Sequence, residues 1–157
     1  MPAQPKTKEL KVFSAQVVTP EDIKRDARKL RLLHVIESIG PISERALTHL
    51  LYLIKKEKDL DLGYNFVLIG GKPVSKEVLE DLRALLYVGF VENDPRSRKI
   101  QVTSNGLEFL EKNRLSDDVT MKAIEYAKEL KPKVASIDAE VELALSSSPT
   151  SPRRGRR

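Results

Sequence analysis

The sequence predicts an α+β fold, mostly helical with one small antiparallel β-hairpin, from three observations. Helical spacing of apolar residues dominates the chain. It is clearest over Ser75–Val88, where Val78, Leu79, Leu82, Leu85 and Leu86 fall within an arc of about 120° at about 100° per residue. Next come two short β-prone runs, Phe90–Glu92 and Lys99–Val102, joined by the turn Asn93-Asp94-Pro95-Arg96-Ser97-Arg98. Hydrophobic residues make up 40% of the 157, enough for a core, yet no apolar run approaches a membrane span.

The elements follow in order. Residues 1–11, rich in Pro and Lys, are expected to be a flexible N-terminus, and Leu10–Val18 has weak strand character. Thr19-Pro20-Glu21-Asp22 is a helix start, with a capping hydroxyl, a proline in the first turn and two acids at the positive end of the dipole. That helix is expected to run to about Ile39, stopped by Gly40-Pro41. Ile23, Ala27, Leu30 and His34 share one side, and beyond Leu32 apolar residues surround the helix, implying burial on several sides. Lys24, Arg25, Arg28, Lys29 and Arg31 form a basic stripe on it. Pairing in cis with Asp22 and Asp26 is favoured over contact with a phosphate backbone.

Ser43 caps a second helix to about Lys58, with Ala46, Leu47, Leu50, Leu51 and Ile54 inside and Arg45, His49, Tyr52 and Lys56 outside. Tyr64–Ile69 reads as a strand closed by Gly70-Gly71-Lys72-Pro73. Ser75 then caps the third helix, whose outer arc carries Lys76, Glu80, Arg83 and Tyr87, and Gly89 stops it. The hairpin follows, and Thr103–Asn113 is the next helix. Ser116-Asp117-Asp118 starts the last one, in which Val119, Ala123, Tyr126 and Leu130 form a narrow apolar seam. Pro132 is expected to kink or interrupt it, and Val134, Ile137, Val141 and Leu145 continue the seam. Such a seam suits a partner helix, often from a second copy of the chain, or the chain's own domain. The organisation is therefore one domain over 12–113, a helical extension over 114–145 with a possible role in dimerisation, and a low-complexity basic tail over 146–157.

The formal net charge of +5 is unevenly placed. Residues 1–11 hold +2 and residues 146–157 hold +4, which leaves −1 for residues 12–145. A nucleic-acid footprint on the folded part must then be a local patch. The chain has no cysteine and no apolar leader, which favours a cytoplasmic protein and excludes thiolate chemistry and cysteine-based zinc sites. Charged residues at 32% beside few Gln and Asn follow the trend of heat-adapted proteins.

Catalytic signals are poor. The two histidines are His34, set among Leu33, Val35 and Ile36 as a core residue would be, and His49, on a helix face with Arg45 and Lys56. Gly70-Gly71-Lys72 is not a phosphate loop, because Phe66 stands where its first glycine belongs and Pro73 where Ser or Thr belongs. No nucleophile–base pair, metal cage or cofactor motif is evident, so no enzyme, cofactor, metal or small-molecule ligand is expected.

The order helix, strand, basic turn, strand, helix over Ser75–Asn113 resembles the winged helix-turn-helix family. Thr103, Gly106 and Leu110 match the Thr-x-x-Gly-x-x-x-Leu segment that commonly closes its hairpin. Leu82-Arg83-Ala84-Leu85-Leu86-Tyr87-Val88-Gly89-Phe90-Val91-Glu92 looks like the end of its recognition helix. The resemblance covers residues 20–113. One departure is the sixteen-residue insertion Asp59–Val74 where a short turn is usual. It is similar to archaeal and antitoxin-associated domains in which a Gly-Tyr-x-Phe strand and a Gly-x-Pro-x-Ser turn precede a leucine-rich helix, as Gly63–Phe66 and Gly71–Ser75 do here.

The resemblance implies binding of double-stranded DNA by a homodimer, in transcription control or chromosome organisation. Arg96, Ser97, Arg98 and Lys99 at the hairpin tip suit phosphate or a narrow minor groove. Lys72, Ser75, Lys76 and Arg83 would present at the third helix, with Ser75 and the helix N-terminus open to a phosphate. Arg153, Arg154, Arg156 and Arg157 form an arm that adds affinity without sequence choice. Against this, Glu77, Glu80 and Asp81 give the third helix a net −1, which weakens a major-groove role. The alternative is a protein-interaction adaptor on the same fold, without nucleic acid.

Overall fold

Thr19 opens the first helix of the computed structural model, which describes residues 18–147. Most of the weak strand expected over Leu10–Val18, and all four tail arginines, lie outside the described residues. In α1 (Pro20–Arg25) the Asp22 amide donates to Thr19 Oγ1 while the Thr19 amide donates to Asp22 Oδ2, a capping box. The single helix expected to Ile39 is instead broken at Asp26, whose backbone is extended and whose carboxylate accepts from the Arg28 and Lys29 amides to cap α2 (Ala27–Ile39). A short side-chain acceptor competes with the helical backbone in this way. The break leaves Ala27 exposed while Ile23, Leu30 and His34 are buried.

Helix α2 is the central element, with Leu32, Leu33, Val35, Ile36 and Ile39 all buried, as its all-round apolar character implies. After Gly40 the chain forms β1 (Ile42–Ser43), a strand the sequence reading lacked because two residues carry no periodicity. Ser43 Oγ then accepts from the Ala46 amide and caps α3 (Glu44–Lys58). The five predicted inner residues of α3 are buried.

The insertion carries a hairpin, β2 (Val67–Ile69) and β3 (Lys72–Val74), paired antiparallel with Leu68 opposite Pro73. Gly70 and Gly71 close it at positive φ, 60° and 80°, which a two-residue hairpin turn requires. The expected strand from Tyr64 begins only at Val67, because Leu62 and Tyr64 turn into the core. Strand β3 was not foreseen; its proline is tolerated in a two-stranded edge pair.

Ser75 caps α4 (Lys76–Tyr87), which ends in a Schellman arrangement: the Phe90 amide donates to Leu85 O, the Gly89 amide to Leu86 O, and Gly89 sits at φ 83°. Strands β4 (Val91–Asn93) and β5 (Lys99–Val102) pair antiparallel, and β1 adds to the far edge of β5 to give the sheet order β1-β5-β4. Thr103 closes this unit. Its hydroxyl donates to Gly89 O and accepts from the Gly106 amide at the start of α5 (Ser104–Lys112).

The last helix, α6 (Asp118–Ser147), runs 30 residues without interruption through Pro132. The expected interruption does not occur. The proline deprives the Lys128 carbonyl of its helical donor, but Lys128 is on the exposed face, where water serves. The seam packs within the chain: Ala123, Ala127, Leu130 and Val134 are buried against α3 and α2. Lys58–Glu129 at 2.6 Å and Lys133–Glu57 at 2.8 Å flank the seam. None of the helices among the described residues is long and apolar enough to cross a membrane.

Candidate nucleic-acid interface

The orientation of α4 is set by a buried acid. Asp81 is fully buried, and Arg28 of α2 grips it through two bonds, Nε–Oδ2 at 2.8 Å and Nη2–Oδ1 at 3.0 Å. Lys29 Nζ lies 3.1 Å from Oδ1, and the Tyr64 hydroxyl donates to Oδ2. Burial, then the Asp81 charge, pushes the Tyr64 phenol far above its ordinary range, so it remains a donor. The Arg28 guanidinium also lies over the Tyr64 ring. Two cations read as members of a solvated stripe are therefore half-buried and turned inward to Asp81, joining α2, the insertion and α4.

This pairing changes the charge that α4 shows to solvent. Asp81 is neutralised, and Glu77 is half-buried and bonded to the Asn65 amide and the Ser75 hydroxyl. Backbone amides, its own first and then that of Asn65, hold the Glu77 carboxyl below its ordinary range. The exposed stripe is Lys76, Glu80, Arg83 and Tyr87, within an arc of about 60° at about 100° per residue. It carries two cations against one acid, so the net −1 counted for this helix from sequence does not face solvent.

The hairpin tip is tightly ordered. Asp94 Oδ1 accepts from the Arg96 amide at 2.9 Å, Asp94 O accepts from the Arg98 amide at 2.7 Å, and Ser97 Oγ accepts from the Lys99 amide at 3.3 Å. Arg98 adopts φ 61°, a left-handed conformation uncommon for a residue with a Cβ. Arg96 and Arg98 are exposed, and neither guanidinium has a hydrogen-bonded or ionic partner among the described residues.

The remaining predicted contacts divide. Lys72, Lys76 and Arg83 are exposed. Ser75 is 2% exposed and its hydroxyl is committed to the cap and to Glu77, so it does not present to solvent as the sequence reading expected.

A chain of contacts connects the β4–β5 hairpin to α3. Ser43 faces Lys99 in the sheet register, its amide donates to Asp138 of α6, and the adjoining Arg45 pairs with Glu140 at 3.4 Å. Arg45 and His49 in turn line a cleft with Lys72 and Ser75. Arg45 and His49 were absent from the predicted contact set. Their i,i+4 spacing on an outer helix face was the available signal. Comparison with protein-family models, with curated proteins and with solved structures finds no match.

Proposed function

We propose that this chain is a winged helix-turn-helix protein that binds double-stranded DNA, in transcription control or chromosome organisation. The observation that carries the reading is the hairpin tip, where the exposed, unpartnered Arg96 and Arg98 stand beside the half-buried Lys99 on a turn ordered by Asp94 and Ser97. The cationic stripe of α4 adds to it. A homodimer expected from the α6 seam loses that surface, which is used inside the chain. The exposed apolar strand Val67–Leu68–Ile69 is the surface we assign to it instead.

The test is fluorescence anisotropy on duplex DNA across a salt series. Replacing Arg96, Arg98 and Lys99 with Ala should weaken binding on all sequences and flatten the log–log salt slope by up to about 2.7, since each phosphate contact contributes about 0.9. Deleting residues 146–157 should lower affinity but leave measurable binding at low salt. No binding by residues 1–145 to any duplex would reject the reading.

That outcome would favour the adaptor alternative, in which the same strand meets a different protein. Val67, Leu68 and Ile69 are 54–62% exposed in sequence, an apolar edge of the kind protein partners cover.

A further inference from the structure

A cleft of about 560 Å³ lies between the first turns of α3, the β2–β3 hairpin, the start of α4 and the distal part of α6. Its size falls in the range of small-molecule sites, and it sits where four separate elements meet. Ile69, Pro73, Val74, Leu79 and Ile137 supply apolar wall.

Charge decides the ligand class. The lining carries Arg45, His49 and Lys72 against Glu44 and Glu140. Glu140 is already paired with Arg45. Glu44 stands at the first position of α3, where the positive end of its own helix offsets about half its charge. Lys72 and His49 remain. Among the described residues neither the Lys72 ammonium nor either His49 ring nitrogen has a hydrogen-bond or ion-pair partner, and the His49 ring meets Tyr52 edge-on. We propose that this cleft binds a small organic carboxylate: a compact apolar body against Leu79, Ile137 and Val74, and an anionic head at Lys72 and His49. A neutral isostere leaves those donors unmet, and a cationic one meets like charge.

The test needs no DNA and so stands apart from the reading above. The full chain is titrated with phenylacetate, phenylacetamide and phenethylamine and followed by backbone amide shifts. Phenylacetate should give saturable shifts centred on Thr48, His49, Leu79 and Ile137, with a Kd at least about fivefold below those of the amide and the amine. Lys72 is exposed, so Lys72→Glu preserves the fold, and it should erase the preference for the acid. Leu79→Trp, which fills the cleft, should abolish binding of all three. Equal or tighter binding of the amide or amine overturns the proposal. So do shifts centred elsewhere, an unchanged preference in Lys72→Glu, or no saturable shift with any probe.

Discussion

The Tyr64 hydroxyl donates to Asp81 Oδ2 at 2.7 Å, joining the insertion to the underside of α4 at a point with no solvent access. Arg28 and Lys29 complete the cluster from α2. A buried carboxylate is costly unless paired, and here three side chains, Arg28, Lys29 and Tyr64, meet it. The insertion therefore acts as a brace that fixes which side of α4 faces out. Tyr64 is what makes Gly63–Phe66 more than a connection.

Breaking this cluster should be expensive. Asp81→Asn removes the charge that Arg28 and Lys29 face. The cost should fall at the low end of about 3–5 kcal/mol, because both cations keep partial contact with water. Tyr64→Phe loses one charge-assisted bond and should cost about 1.5–3 kcal/mol. Urea unfolding measures both. A loss below about 1 kcal/mol for Asp81→Asn would mean the cluster is not what orients the helix.

Gly106 is sterically committed. A Cβ there would collide with Phe90 O and stand 2.7 Å from Val102 Cγ1, at the junction of α5 with the start of the β4–β5 hairpin. Gly106→Ala should cost about 1–3 kcal/mol as an overpacked site, although alanine is the better helix former. Gly106→Ala with unchanged thermal stability would contradict the close approach.

Four helix starts, at Thr19, Ser43, Ser75 and Thr103, were legible in the sequence because a cap is a local event, written in one residue and the three after it. Strands β4 and β5 were legible for a similar reason, as short β-prone runs around a turn. The break at Asp26 was not: the same Asp is a plausible helix residue until its carboxylate is seen capping α2. Asp81 was counted as surface charge because nothing near it in sequence announces Arg28 or Tyr64. The α6 seam was visible by its spacing, but spacing cannot say which surface it meets. The candidate contacts fared accordingly. Arg96 and Arg98 are exposed as a hairpin tip requires, whereas Ser75, read both as a cap and as a ligand, is spent on the cap.

Stability should fall in mild acid through His34. Its ring is 1% exposed and its Nε2 accepts the Leu115 amide at 3.0 Å, which an imidazolium cannot do. Burial, then Arg114, lowers its pKa below the ordinary histidine value of about 6.5, with Asp117 opposing. The unfolded chain then binds more protons than the fold below that value. The contribution of neutral His34 is full above about pH 6.5 and declines as pH falls toward the folded pKa. The urea midpoint of the parent chain should drop between about pH 7 and pH 5.5, and that of His34→Gln, whose amide oxygen can still accept, should drop less. Equal drops would place the acid sensitivity elsewhere.

The packing of α6 gives the last prediction. Leu130 is 2% exposed in the seam against α2 and α3, so Leu130→Ala should cost about 2–5 kcal/mol through lost burial and a residual cavity. Because those contacts lie within one chain, the melting temperatures of the parent and of the variant should not change with protein concentration through this seam. A seam shared between two copies would behave differently, since subunit association stabilises by mass action and raises Tm with concentration. With the seam inside one chain, truncation after Asn113 should expose the apolar faces of α2 and α3 and unfold the domain, rather than release a folded monomer. Thermal melts of Leu130→Ala over a hundredfold range of concentration, beside the parent chain, separate the cases. A parent Tm that climbs with concentration and loses that dependence in Leu130→Ala would show that the seam pairs two molecules.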